Sequence, residues 1–63
     1  MVEARDRLHT LRHDLSNPLA AILAETQLLL LNAEQLDAET VGSLKQIEAL
    51  ARKMRQILQH VDA

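Results

Sequence analysis

The 63-residue sequence contains no cysteine and no Phe, Tyr or Trp, and it has one glycine and one proline. Without cysteine there is neither a disulfide framework nor a zinc knuckle, a composition that fits a reducing compartment and gives secretion no support. Without aromatic rings nothing can stack on a base. Seven basic residues are interspersed with nine acidic ones for a net charge of −2, so nucleic acid is not an expected partner. Long hydrophobic runs are missing too. Leu19 to Ala24 and Leu28 to Leu31 are the longest, far short of the roughly 20 residues that cross a bilayer, and no basic-then-apolar leader opens the chain. No membrane contact by this segment is expected.

What remains is 48% hydrophobic and almost free of helix breakers, which describes one small helical domain. A monomer of this size buries only about 60% of its unfolded surface and usually needs a metal, disulfides or a second chain. Self-association is therefore expected before any motif is read.

Between Val2 and Leu31 the residues Leu8, Leu11, Leu15, Leu19, Ile22 and Leu29 follow the three- and four-residue steps of one buried helical stripe. The spacing predicts helix one over about 2–31. Asn32 to Asp37 interrupts the period and reads as a turn, with Asp37 placed to cap a second helix. Leu36 before the cap and Val41 after it form a hydrophobic staple, and Glu39 suits the first turn. Helix two is expected over about 38–62, its face marked by Leu44, Ile47, Ala51, Met54, Leu58 and Val61, flanked by Leu50 and Ile57. Gly42 inside it costs about 1 kcal/mol relative to Ala, and either close packing or plain tolerance accounts for it. Two such helices joined by about six residues make an all-α antiparallel hairpin, and two hairpins make a homodimeric four-helix bundle.

Pro18 sits inside helix one and leaves the carbonyl of Asp14 without its donor. Asn17 and Pro18 would also serve as a cap and first turn of a new helix. The phase of Leu11, Leu15, Leu19 and Ile22 is kept across the proline, which favours one helix with a bend near Pro18. His13 lies two residues from both Leu11 and Leu15 and so points away from the stripe, towards solvent. A lone exposed histidine is ordinarily just solvated. Here Asp14 adjoins it, Asn17 lies one turn on along the same face, and the proline follows. A neutral imidazole is a nucleophile that a nearby carboxylate can orient, an arrangement suited to group transfer between proteins. His9 and His13, with Asp6, have the spacing of a shared metal, but two histidines without a firm third ligand make a weak site, so no metal is expected. Solvated surface accounts for His9 and His60.

The run His13-Asp14-Leu15-Ser16-Asn17-Pro18-Leu19 resembles the H-box of sensor histidine kinases, whose common form is His, an acidic residue, Leu, a variable residue, Thr or Asn, Pro, Leu. The family's dimerisation and histidine-phosphotransfer domain is also a helical hairpin of this length, so the resemblance covers essentially all of residues 1–63. It implies that His13 accepts the γ-phosphoryl group of ATP and passes it to an aspartate of a response-regulator receiver domain. Asp14 would be the acid/base neighbour, Asn17 would position a water in the reverse phosphatase reaction, and Pro18 would supply a hinge. Ala20, Ala24 and Gln27 continue the outward line of His13 and would seat the receiver. Folding about Glu34 and Gln35 would bring His13 level with Arg52 to Gln56, where Arg52, Lys53 and Arg55 read as a solvated basic face.

The resemblance also implies ATP and Mg²⁺ on a catalytic domain following Ala63, a sensor or linker helix preceding Val2, and a cytoplasmic location. No cofactor site is expected in these residues, which have no glycine-rich loop. Two alternatives stand beside this reading: a stand-alone histidine phosphotransfer relay, and a purely structural dimerisation hairpin.

Overall fold

The computed structural model describes residues 2–61, with side chains from residue 4 onward. Helix α1 spans Val2–Leu30 and helix α2 spans Ala38–Gln59, packed antiparallel in a rod 52 Å long and 14 × 11 Å across. Between them lies a short 3-10 turn, Ala33–Gln35. Leu36 and Asp37 then adopt extended backbone angles, and it is there that the chain reverses. Helix α2 stops at Gln59, short of the expected 62: the chain leaves the helix at His60, whose ring caps the Gln56 carbonyl, and residue 62 itself lies outside the described residues.

The start of α2 has a local cause. The Asp37 carboxylate accepts the backbone N–H of Thr40 at 2.7 Å, occupying one of the donors that a helix start leaves free. Leu36 and Val41, on either side of the cap, are both half-buried, as a staple requires. Helix α1 continues through Pro18 without a break, so Asn17 does not cap a new helix. The missing proline N–H still leaves the Asp14 carbonyl without its usual partner. A Cβ built on Gly42 meets nothing within 4 Å, so tolerance rather than close packing explains this glycine within the hairpin.

The seam between the helices corrects the expected stripe. Leu19, Leu23 and Ala51 form the buried core, with Leu58 packed against it. Of the six residues assigned to one buried stripe on helix one, only Leu19 is buried; Leu8, Leu11, Leu15, Ile22 and Leu29 are exposed. On α2, Ile47, Leu50, Met54 and Ile57 are exposed while Leu44 and Val61 are half-buried. The reason is geometric. The seam follows Arg12, Ser16, Leu19, Leu23, Thr26 and Leu30 in alternating steps of four and three, and an open apolar stripe runs one residue behind it. The sequence pattern merged these two neighbouring lines.

Thr26 completes the seam. It is 5% exposed, and its hydroxyl donates to the Ile22 carbonyl at 2.7 Å, which satisfies the polar group inside its own helix. Lower on the flank, Gln27 Nε2 donates to Glu48 Oε2 at 3.3 Å across the helices, and Arg52 reaches the same oxygen at 3.4 Å.

Candidate functional site

The upper part of the hairpin is fixed by one long-range contact. Arg12 Nη1 donates to the Val61 carbonyl at 3.0 Å, across 49 residues of sequence. No basic residue stands in the last turn of α2, so Arg12 brings a cation from the other helix to that carbonyl end, where the helix dipole favours it. The same guanidinium donates through Nη2 to His9 Nδ1 at 3.3 Å. The backbone carbonyl of Arg12 accepts the Ser16 hydroxyl at 2.7 Å. The turn that holds His13 is thus tied at its base to α2 and along its length to Ser16.

This contact also corrects the expected level. His13 stands opposite the region of Val61 rather than Arg52 to Gln56. The chain does not fold about Glu34 and Gln35, because those residues are still wound in the 3-10 turn; the reversal waits for Leu36 and Asp37. Gln27 opposite Glu48 and Arg12 opposite Val61 agree on that pivot.

His13, Asp14, Asn17 and Pro18 are all exposed. Among the described residues the side chains of His13, Asp14 and Asn17 have no hydrogen-bond partner, so the structure does not join His13 to Asp14. Adjacent residues on a helix diverge by about 100°, which is why the carboxylate stands beside the imidazole rather than against it. Asp14 instead lines an open groove with Asp6, Arg7, Thr10 and Leu11. The arrangement leaves the imidazole open to a large reactant from outside. Asn17, four residues on, shares its face.

Further along that face Ala20, Ala24 and Gln27 are exposed. Ala24 and Gln27 line a shallow apolar groove together with Leu28 and Leu31. Leu31 is 80% exposed, more than any other large apolar side chain described. Leu28 and Leu31 were missed in the sequence because they lie in a run of four leucines that reads as core. The signal was there: Ala24, Gln27 and Leu31 are three and four apart, on the line that leads from His13.

No group of three or more His, Cys, Asp or Glu side chains among the described residues could hold a metal ion. His9 is engaged by Arg12, and His60 Nδ1 lies 2.7 Å from the Gln56 carbonyl, to which its N–H donates as it caps α2. Arg52 pairs with Glu48, whereas Lys53 and Arg55 are simply exposed. No helix in the described residues is long and apolar enough to cross a membrane. The Asp37 carboxylate is held below its ordinary value of 3.8 by the hydrogen bonds from Thr40.

No curated protein and no solved structure matches the chain. The model of the His Kinase A (phospho-acceptor) domain family matches residues 3–62, which takes in both helices, the connection and the exposed histidine turn. With an all-helical antiparallel hairpin and nearly full coverage in agreement, the chain belongs to the His Kinase A phosphoacceptor domain family of two-component histidine kinases.

Proposed function

We propose that residues 1–63 are the dimerisation and phosphoacceptor domain of a longer sensor histidine kinase, with His13 as the phosphoacceptor. The observation that carries this is the placement of His13. It is an exposed imidazole with no partner among the described residues, on the outward face of α1 and inside the segment the family model matches. A ring nitrogen attacks the γ-phosphorus of ATP, the N–P bond forms as the bond to the ADP oxygen breaks, and Asp14 takes up the proton released by the other ring nitrogen. In the second step a receiver aspartate attacks phosphorus, the N–P bond breaks, and the imidazole regains a proton. Asn17 positions water for the reverse hydrolysis, and Pro18, beside the unpaired Asp14 carbonyl, is the hinge.

ATP and Mg²⁺ belong to a separate catalytic domain in this reading, since a chain with one glycine cannot form a glycine-rich phosphate cradle. In this reading the domain works in the cytoplasm, where ATP is supplied. Ala20, Ala24 and Gln27, with Leu28 and Leu31 beside them, are the seat for the receiver. The second copy covers the open stripe. The hairpin has 5141 Å² of accessible surface, whereas a compact monomer of 7.1 kDa has about 4,100 Å². The excess of about 1,000 Å² is the area one partner contributes to a stable interface.

The test is to incubate the chain with γ-labelled ATP and a histidine kinase catalytic domain already shown to be active on another acceptor. Acid-labile, base-stable label on wild type and none on His13→Gln is expected. A well-folded wild-type dimer that takes no label would instead be a structural hairpin.

A further inference from the structure

The pair His9 and Arg12 is not used by the chemistry above. Its geometry is specific. An arginine only donates, so the bond from Arg12 Nη2 makes His9 Nδ1 an acceptor, and the neutral ring then carries its proton on Nε2. His9 therefore presents an N–H donor. It stands four residues before His13, where Cβ atoms lie about 5–6 Å apart, and helical side chains lean towards the N-terminus. A group added to the His13 ring is thus carried over His9.

The guanidinium is pinned at the edge of that face by its two bonds, to the Val61 carbonyl and to His9. Both partners are neutral. Among the described residues no carboxylate is bonded to Arg12, whose positive charge stands next to the place where a phosphoryl dianion would form. Asp6 and Asp14, the nearest carboxylates in sequence, line the groove on the adjoining face. Arg12 alone, one residue from His13, would diverge from it; its bond to His9 is what brings the headgroup onto the shared face.

We propose that His9 and Arg12 form a phosphoryl-binding pair for phosphorylated His13: His9 donates its Nε2–H to a phosphoryl oxygen and Arg12 supplies fixed positive charge. The proposal rests on the phosphoacceptor reading of His13. The two residues position and stabilise the phosphohistidine rather than take part in bond making.

The test uses the 63-residue chain and phosphoramidate, which phosphorylates imidazole without a second protein. The ring nitrogen displaces ammonia from phosphorus, and the ring's other N–H proton leaves with it as ammonium. N-acetyl-phosphohistidine supplies the reference, because His60 adjoins Val61 and so lies beside the same guanidinium, and phosphorylated sites are assigned by peptide mass. The pH dependence of the phosphorus NMR shift reads the protonation midpoint of each phosphoimidazole, which nearby positive charge lowers. In wild type the midpoint at His13 is expected about half a unit below that of the reference. Arg12→Met removes the difference, Arg12→Lys keeps most of it, and His9→Ala gives an intermediate value. Because the protonated ring loses its phosphoryl group faster, the lifetime at His13 near neutral pH should shorten about threefold in Arg12→Met.

A wild-type midpoint at His13 equal to that of the reference would overturn the pairing. So would an Arg12→Met variant whose melting temperature falls while its midpoint stays put, because Arg12 would then act only as the α2 cap. Label on His60 with none on His13 would sink the phosphoacceptor reading itself, a result distinct from the other two.

Discussion

Two lines of side chains run down α1 one residue apart, and they have opposite fates. Arg12, Ser16, Leu19, Leu23, Thr26 and Leu30 face α2 and are buried or half-buried, although half of them are polar. Leu8, Leu11, Leu15, Ile22 and Leu29 are all apolar and all exposed. Within one chain the more hydrophobic line is the unsatisfied one. Side-chain polarity therefore does not follow burial within the single hairpin, and in the proposed dimer the open apolar line is the one a second hairpin covers. The polar residues of the closed line are tolerated because each has a backbone acceptor: Ile22 O for Thr26, Arg12 O for Ser16, Val61 O for Arg12.

The largest effect is expected on the open line. Ile22→Asp places a charge where two hairpins meet, and a buried unpaired carboxylate costs several kcal/mol, so dimer affinity should fall at least about a hundredfold. Sedimentation equilibrium reads this directly; a variant that stays as tightly dimeric as wild type would remove the distinction between the two lines. On the closed line, Leu23→Ala empties part of the three-residue core and should lower stability by about 2–4 kcal/mol in urea unfolding, with the dimer mass retained below the transition. An unchanged midpoint would mean that the hairpin seam carries little of the stability.

Away from both lines the effects shrink. Gly42→Ala adds a Cβ in open space and should raise stability by up to about 1 kcal/mol in the same unfolding experiment. A loss instead would reveal that a partner chain approaches Gly42 closely. The smallest expected change concerns Asp37. Its equilibrium is lowered in the folded chain, so its cap contribution is fully present above the ordinary value of 3.8 and disappears as pH falls through the depressed one. The gap in melting temperature between wild type and Asp37→Asn, followed by circular dichroism, should therefore narrow at the acid end only.

The start of helix two at its Asp37 cap and the outward placement of His13 were legible because each is decided within a turn or two of sequence, whereas the stop of helix two at Gln59 has no breaker to mark it. The open and closed lines were not separable, since Leu11 and Arg12, or Ile22 and Leu23, differ by one position and only the partner helix decides which turns inward. The vertical match of the helices was missed for a related reason. Whether a connection reverses at Glu34 or at Asp37 shifts every pairing by several residues, and Ala33 to Gln35 gives no strong sign that it stays wound. Arg12 carries no local sequence signal; its role depends on a carbonyl 49 residues away. Leu28 and Leu31 were hidden by an apolar run whose two outer members face solvent.

The reversal at Leu36 and Asp37 also sets an order of assembly. Contacts across the hairpin widen in sequence separation with distance from it, from 21 residues between Gln27 and Glu48 to 49 between Arg12 and Val61. A chain that zips outward from the turn closes its shortest loops first and the Arg12–Val61 rung last, and on local opening that rung is the first to go. Native-state amide exchange should therefore quicken along α1 from Thr26 towards His13. His13, the proposed phosphoacceptor, would then stand towards the looser end of the rod, where the proposed partner domains have least order to disturb.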